Sequence, residues 1–396
     1  MRLVLRGIAL LALAGQALPA AAQDTALQAT PGKQLIDQAR TLTSDKIPAG
    51  DEAATAPSSK PDLVLAPIPV SSPAVGTGLA AAGVLFYNPN RSAQPWVSGV
   101  AGGYTSTDSW GVGLFHSMSF ARDRLRFLGL ALYGEANLDF YGIGPDAGAA
   151  GKSVELNDKA FAGLVDLEGQ IFTKGLLRHL YFGGRVLYMN LDASAAIPLP
   201  GRPDLIPPKL ERDSTIAMIG PAFTFDKRDN STNPRKGVYV QGSLLYGAKW
   251  LGSDFDHHKL SIAGNAYFPL AKTTVLAFRK QACSVSGDAP YYDLCLFGQH
   301  GDLRGFEAGR YRDGASWAFQ LEIRQHIAGR FGMVAFGGVG GIAENAKSVW
   351  KDSTVLGSGG IGLRYLASES ANVNLRADLA WGKDGGAFYF GIGEAF

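Results

Sequence analysis

The last nine residues of the chain, FYFGIGEAF, alternate strictly and end on an aromatic. Phe388, Phe390 and Ile392 share one face with Phe396, while Tyr389, Gly391 and Gly393 sit on the other. Successive side chains of a strand point to opposite faces, so the pattern predicts a closing strand. With no element after it, that strand must pair with something already made. In a membrane-spanning barrel the partner is the first strand, and aromatic girdles with alternating lipid-facing and lumen-facing residues mark the wall. The alternative is an edge strand of a soluble sandwich.

The start of the chain favours export. Residues 1–22 read as a secretory signal, with Arg2 and Arg6 before an apolar centre at Ile8–Ala14 and small residues at Ala20 and Ala22. No later stretch holds 18 consecutive apolar residues, so no spanning helix is expected. Hydrophobicity is instead dispersed: 46% of the chain is apolar, with 51 glycines, 21 phenylalanines and 14 tyrosines. That suits a barrel whose every strand is half apolar, although a soluble all-β protein shares it. A net charge of +2 gives no case for nucleic acid. Residues 23–61 are rich in Ala, Thr, Ser, Pro and Asp, with one short amphipathic stretch at Lys33–Thr43. A segment this short rarely folds unaided, so it is a flexible periplasmic linker or a plug. Cys283 and Cys295 flank SVSGDAPYYDL, which holds a turn signal at Gly287-Asp288-Ala289-Pro290. Export favours a disulfide across that loop; two free thiols are the alternative.

From Asp62 to Phe396, alternating runs separated by turn signals predict about sixteen strands, an even number as spanning barrels require. Val373, Leu375, Ala377, Leu379 and Trp381 form one face of a strand and Asn372, Asn374, Arg376 and Asp378 the other. Trp317, Phe319, Leu321 and Ile323 likewise oppose Gln320, Glu322 and Arg324. Connections near 122, 175 and 329 are short, while those near 142–156, 192–212 and 285–315 are long. Short periplasmic turns with long external loops are the expected asymmetry. The fold class is therefore all-β, a transmembrane antiparallel barrel over 62–396.

Three motifs in order carry a resemblance. The turn FDKRDNSTNPRKG places Asp226, Arg228, Asp229, Pro234 and Gly237 as a D-x-R-D…P-x-x-G pattern. The loop GDLRGFEAGRYRDGASWAFQLEIRQHI has Leu303, Arg304, Gly305 and Phe306 at its tip, with Glu322 downstream. Together with the closing FYFGIGEAF, this resembles the BamA/TamA superfamily of outer-membrane assembly and translocation barrels, the bacterial surface antigen family. The resemblance implies a sixth extracellular loop folded into the lumen, where Arg304 would be pinned by Glu322. A solvated loop tip is the plain alternative.

Two departures follow. The family's F-x-D-x-G strand reads Phe336-Gly337-Gly338-Val339-Gly340 here, so Gly338 replaces an Asp that contacts the loop arginine. The loop would then be held less tightly, or by Glu322 alone, and Gly338→Asp should quieten the channel. The 39 residues after the signal also cannot build the family's periplasmic POTRA modules, which weakens a client-handling role. By resemblance, the chain moves or inserts polypeptide, or lipid, at the outer membrane of a Gram-negative bacterium. Its surroundings are outer-membrane lipid, and a polypeptide client or accessory protein is the partner class. A passive or structural pore is the alternative. No enzyme, cofactor or metal is expected. His257 and His258 are neighbours on a strand and point apart, and no G-x-S-x-G or H-E-x-x-H occurs.

Overall fold

The computed structural model describes residues 61–72, 74–89, 96–195, 213–230, 233–298, 302–368 and 372–396. The expected signal at 1–22 and linker or plug at 23–61 lie outside the described residues, apart from Pro61. The first strands are β1 (Asp62–Ser72), β2 (Gly76–Tyr87), β3 (Trp96–Thr105), β4 (Trp110–Phe120) and β5 (Leu125–Phe140). A short helix α1 (Pro145–Ala150) precedes β6 (Val154–Gln170), β7 (Leu180–Ala195), β8 (Asp213–Asp226) and β9 (Gly237–Gly247). Then come β10 (His257–Pro269), β11 (Thr274–Gly287) and two three-residue strands, β12 (Cys295–Phe297) and β13 (Tyr311–Asp313). The chain continues through β14 (Ala315–Ala328), β15 (Phe331–Ala343), β16 (Thr354–Ser368), β17 (Val373–Gly382) and β18 (Gly385–Ile392).

Sixteen of these form one antiparallel sheet in the order β1 to β11, then β14 to β18. The order skips β12 and β13, which pair with each other inside the connection between β11 and β14. Neighbours in sequence are neighbours in space, so simple hairpin connections suffice. β1 and β18, the first and last strands of the sheet, come side by side as in a barrel. The chain ends on the side of the short turns, such as Ala121–Arg124 and Gly329–Arg330, which makes that mouth periplasmic.

Polarity along β6 shows where the lipid begins. Toward its periplasmic end Asp166 and Glu168 are buried in the lumen, while Phe161, Val165 and Leu167 are exposed on the outside. Toward the outer end the pattern inverts, with Val154 and Leu156 buried inside and Glu155 and Lys159 exposed. Charge facing hydrocarbon is costly, so the switch between Lys159 and Phe161 marks the outer membrane boundary. Beyond it an apolar cluster lies in the barrel interior: Leu138, Phe140, Val154, Leu156, Leu191 and Ile216 pack with Tyr291 and Tyr292 of a folded-in loop, beside the buried Asp158 and Arg312.

β17 alternates as its sequence dictates. Asn374, Arg376, Asp378 and Ala380 are buried toward the lumen, and Leu379 and Trp381 are exposed to lipid. Leu375 is only partly exposed and lies near the periplasmic end, so Leu379, 44% exposed, is the better reporter of depth. Leu379→Arg should cost about 2–4 kcal/mol in a refolding titration, as arginine does at mid-membrane. Arg376→Leu should cost less, because the lumen around it already holds more arginines than acids. Equal costs would contradict this register.

The closing strand needs one correction. Phe388 faces lipid and Tyr389 the lumen, as alternation predicts. Phe396 does not share the face of Phe388 and Phe390, because β18 ends at Ile392, whose side chain lies outside the described residues. Gly393 takes φ +75°, a conformation glycine adopts without penalty, and the chain turns inward. Phe396 is buried against Tyr267, Val275 and Ala277 of β10 and β11. The reason is chemical: Arg324 inside the barrel offers a guanidinium to the Phe396 α-carboxylate and ring, which a lipid-facing strand end could not use.

Candidate functional site

The connection between β11 and β14 folds down into the barrel and is fastened in stages. A disulfide joins Cys283 of β11 to Cys295 of β12, with Cα atoms 5.7 Å apart. Just before β12, Asp293 is buried between two residues of β10. Lys259 Nζ donates to Asp293 Oδ1 at 2.6 Å and to its backbone carbonyl at 2.9 Å, and His257 Nε2 lies 2.7 Å from Oδ2. Burial alone would raise the Asp293 carboxyl, but the Lys259 ammonium and the His257 ring hold it below the ordinary carboxylate range. His258 points the other way, exposed, with its ring edge-on to Tyr246. The β12–β13 ladder then turns the chain so that residues 302–310 enter the lumen.

Leu303, Arg304, Gly305 and Phe306 form the buried tip. Arg304 is fully enclosed. Its Nη2 donates to Glu322 Oε2 at 2.5 Å and its Nη1 to Asp378 Oδ2 at 2.6 Å. Its Nε donates to Gln320 Oε1 at 3.3 Å, and the guanidinium lies 3.5 Å from the Phe336 ring centroid. The fixed fork of donors suits this site, where two carboxylates approach from different strands; a lysine could not span them equally. Gly305 adopts φ +109°, and its N–H donates to Tyr389 Oη at 3.0 Å, while the Tyr389 hydroxyl donates to the Phe306 carbonyl at 3.3 Å. Leu303 and Phe306 pack with Tyr311, Ala318, Ile342 and Leu356.

Glycines on the wall make room for the tip. A Cβ on Gly338 would lie 2.8 Å from Leu303 Cδ1, one on Gly340 3.1 Å from Leu303 Cδ2, and one on Gly382 2.8 Å from Phe306 Cζ. The glycine run in β15 is thus a groove for the loop. This corrects the expectation that Glu322 holds the loop alone. The second carboxylate comes from Asp378 on β17, and the position where the family places its acid, Gly338, is filled by the leucine beside Arg304.

Around Arg304 the ion pairs continue. Glu322 Oε1 accepts from Arg324 at 2.7 Å, and Asp378 Oδ1 accepts from Arg364 at 2.6 Å. Glu394, on the inward-turned tail, accepts from Arg364 at 2.8 Å and from Asn374 at 2.7 Å. Arg376 Nη1 lies 3.7 Å from Asp378. Four buried arginines, Arg304, Arg324, Arg364 and Arg376, therefore meet three buried carboxylates, Glu322, Asp378 and Glu394. On the outer side, Arg310 pairs with Asp384 of the β17–β18 turn at 2.9 Å and donates to the Gly148 carbonyl of α1. Tyr141 donates to Glu307 at 2.7 Å.

The turn motif sits at the periplasmic rim. Asp226 pairs with Arg228 at 2.7 and 2.9 Å, and Arg228 lies over the Tyr239 ring at 4.2 Å. Asp229 accepts from the backbone of Arg235 and Lys236, Pro234 is buried, and Gly237 has φ +118° with no space for a side chain beside the Lys227 carbonyl. These residues shape the turn between β8 and β9. Sequence reasoning missed Asp378 as an anchor, Asp293 with its β10 partners, and Glu394. Alternation did place Asp378 on the polar face; nothing local says which lumenal acid an arginine will reach.

The disulfide joins cysteines 12 positions apart in the sequence, above this anchor. Such a closure is worth about 3 kcal/mol at most, so Cys283→Ser should lower stability by that or less. Thiol labelling under denaturing, non-reducing conditions should find neither cysteine. Ready alkylation of both would contradict the bridge.

A family model of the Omp85 superfamily domain matches residues 190–396. No curated protein matches the chain. Among solved structures, CdiB from Escherichia coli aligns with a TM-score of 0.59 at 12% identity, over 96% of this chain and 74% of that one. BamA from Haemophilus ducreyi, lacking POTRA domains 1–3, aligns at 0.55 and 14% identity, over 85% and 70%. CdiB from Acinetobacter baumannii gives 0.53 and 13%, over 86% of this chain and 60% of its own. At these identities the structures share a fold.

Proposed function

This chain belongs to the Omp85 superfamily, and from that premise we propose that its outer-membrane barrel moves or inserts polypeptide at the surface of a Gram-negative bacterium. The observation that carries the reading is the lumenal latch. A passive pore needs no arginine from an outer loop buried between Glu322 and Asp378, because burying charge is costly unless it is well paired. A plug held by a few exchangeable ion pairs on a glycine-lined groove is suited to be displaced and reseated. The BamA and CdiB likeness in fold agrees with this and adds no client. The reading is non-enzymatic: the barrel's side chains hold a loop and line a path, and a polypeptide client is the partner.

Gln241 is buried on the lumen wall beside Arg185, Ser243 and Gln281, so it reports on whatever enters. A photocrosslinking residue at that position, expressed in native membranes, should capture polypeptide. Capture of lipid alone would reassign the cargo. No adduct in membranes where the loop is intact and the barrel folded would leave a passive pore.

A further inference from the structure

Beyond one backbone bond from Gly393, the tail Gly393–Phe396 leaves the β18 ladder, yet it is buried and specifically held. Gly393 N–H donates to the Asn374 carbonyl at 2.7 Å. The Glu394 carboxylate accepts from Arg364 Nε and Asn374 Nδ2, with Arg324 Nε 3.6 Å away. The Phe396 α-carboxylate accepts from Arg324 Nη2 at 2.7 Å. The Phe396 ring packs on Tyr267, Val275 and Ala277, with the Arg324 guanidinium 5.4 Å from its centroid. The wall residues come from β10, β11, β14, β16 and β17, so the cradle is a property of the barrel and does not depend on the tail's own strand. Arg324 Nη1 is buried and makes no hydrogen bond among the described residues.

We propose that Gly393–Phe396 is a self-docked occupant of a lumenal peptide site, and that this site controls the loop latch from the periplasmic side. This deepens the polypeptide reading and rests on it for the ligand class. The site takes an extended segment with a carboxylate two residues before an aromatic ring. Arg324 and Arg364 answer the carboxylate, and Tyr267 with Val275 and Ala277 receives the ring.

The link to the loop is direct. Arg324 bonds Glu322 at 2.7 Å, and Arg364 lies 3.8 Å from Glu322 and 2.6 Å from Asp378. Those two carboxylates are the ones that hold Arg304. With Glu394 in place, Arg324 and Arg364 are partly satisfied by the tail. Without it, both arginines turn on Glu322 and Asp378 and compete with Arg304 for them. An empty site therefore loosens the loop, and a filled one, by tail or by ligand, seats it.

The test uses the full chain with Ala308→Cys as a reporter beside the loop tip, the native cysteines being joined to each other. Glu394→Gln with Phe396→Ala should raise labelling of that cysteine by an impermeant thiol reagent about tenfold, a coupling size typical of residues in one ionic network. An acetylated Gly-Glu-Ala-Phe peptide with a free α-carboxylate should then restore slow labelling. It should saturate at millimolar concentration or below, because a short tether holds its ligand at an effective concentration in that range. A peptide with Gln for Glu should fail, and the wild-type barrel should bind the peptide far more weakly. Phe396→Ala alone, which keeps the Glu394 ion pairs, serves if the double variant does not insert. Unchanged labelling in the folded variants would overturn the control of the latch. No saturation, or equal action of the Gln peptide, would overturn the site. Peptide rescue without crosslinking at Gln241 would retire the translocation reading and leave the site standing; the reverse result would retire the site alone.

Discussion

Glu322→Ala should be more damaging than Arg304→Ala, although the two residues form one ion pair. Breaking a buried pair typically costs about 3–5 kcal/mol, because the surviving charge stays buried without its partner. The surroundings decide which end of that range applies. When Arg304 is removed, Glu322 keeps Arg324 and Asp378 keeps Arg364, so neither acid is abandoned. That variant belongs at the low end. When Glu322 is removed, four arginines face only Asp378 and Glu394, and Arg324 loses its 2.7 Å partner. That variant belongs at the high end. Both should loosen the loop and raise conductance or its fluctuations in planar bilayers, since the tip occupies the lumen. The double variant should resemble Glu322→Ala alone, because one latch cannot be opened twice. Additive stabilities in a denaturant titration, or conductance equal to wild type, would mean that the pair at 2.5 Å does not hold the plug.

Much of this was legible in the chain because barrel walls are written locally. Each strand needs only a period of two and a turn signal, so sixteen strands, their order and the faces of β17 follow from residue spacing. Glu322 and Asp378 both fall on a polar face by that rule. What spacing cannot supply is depth and distance across the lumen. β14 and β17 are separated in the sheet by β15 and β16, and their levels depend on the accumulated register of three ladders. Hence the meeting of Arg304 with Asp378 was invisible, although both residues were placed on lumenal surfaces. The outer third of β6 misleads for another reason. Above the membrane the lumen is filled by loop aromatics, so Val154 and Leu156 turn inward and the polarity rule reverses. Phe396 escaped because alternation was carried four residues past the last ladder position, over a glycine that ends the strand.

Gly338→Asp, the change that would rebuild the acid of the F-x-D-x-G strand, should weaken the loop anchor. A Cβ at Gly338 would stand 2.5 Å from the Phe319 carbonyl oxygen and 3.2 Å from Gln320 Cα, both backbone atoms of the paired strand β14 that cannot step aside. It would also stand 2.8 Å from Leu303 Cδ1, so the carboxylate could enter only by driving out the residue next to Arg304. Overpacking of this kind costs about 1–3 kcal/mol before the displaced tip is considered. Asp378 already answers the second arm of Arg304, so the new charge adds a partner where none is missing. Gly338→Ala isolates the steric part and should reproduce most of the loss, whereas Asp378→Asn isolates the charge and should free Arg304 with the groove intact. Placing Gly338→Asp in the Asp378→Asn background is the decisive combination. If the groove is shaped for Leu303, the double change is worse than either single one. A double variant as stable and as electrically quiet as wild type would show that the acid can be moved from β17 to β15 without cost, and that Gly338 is not needed as space for the tip.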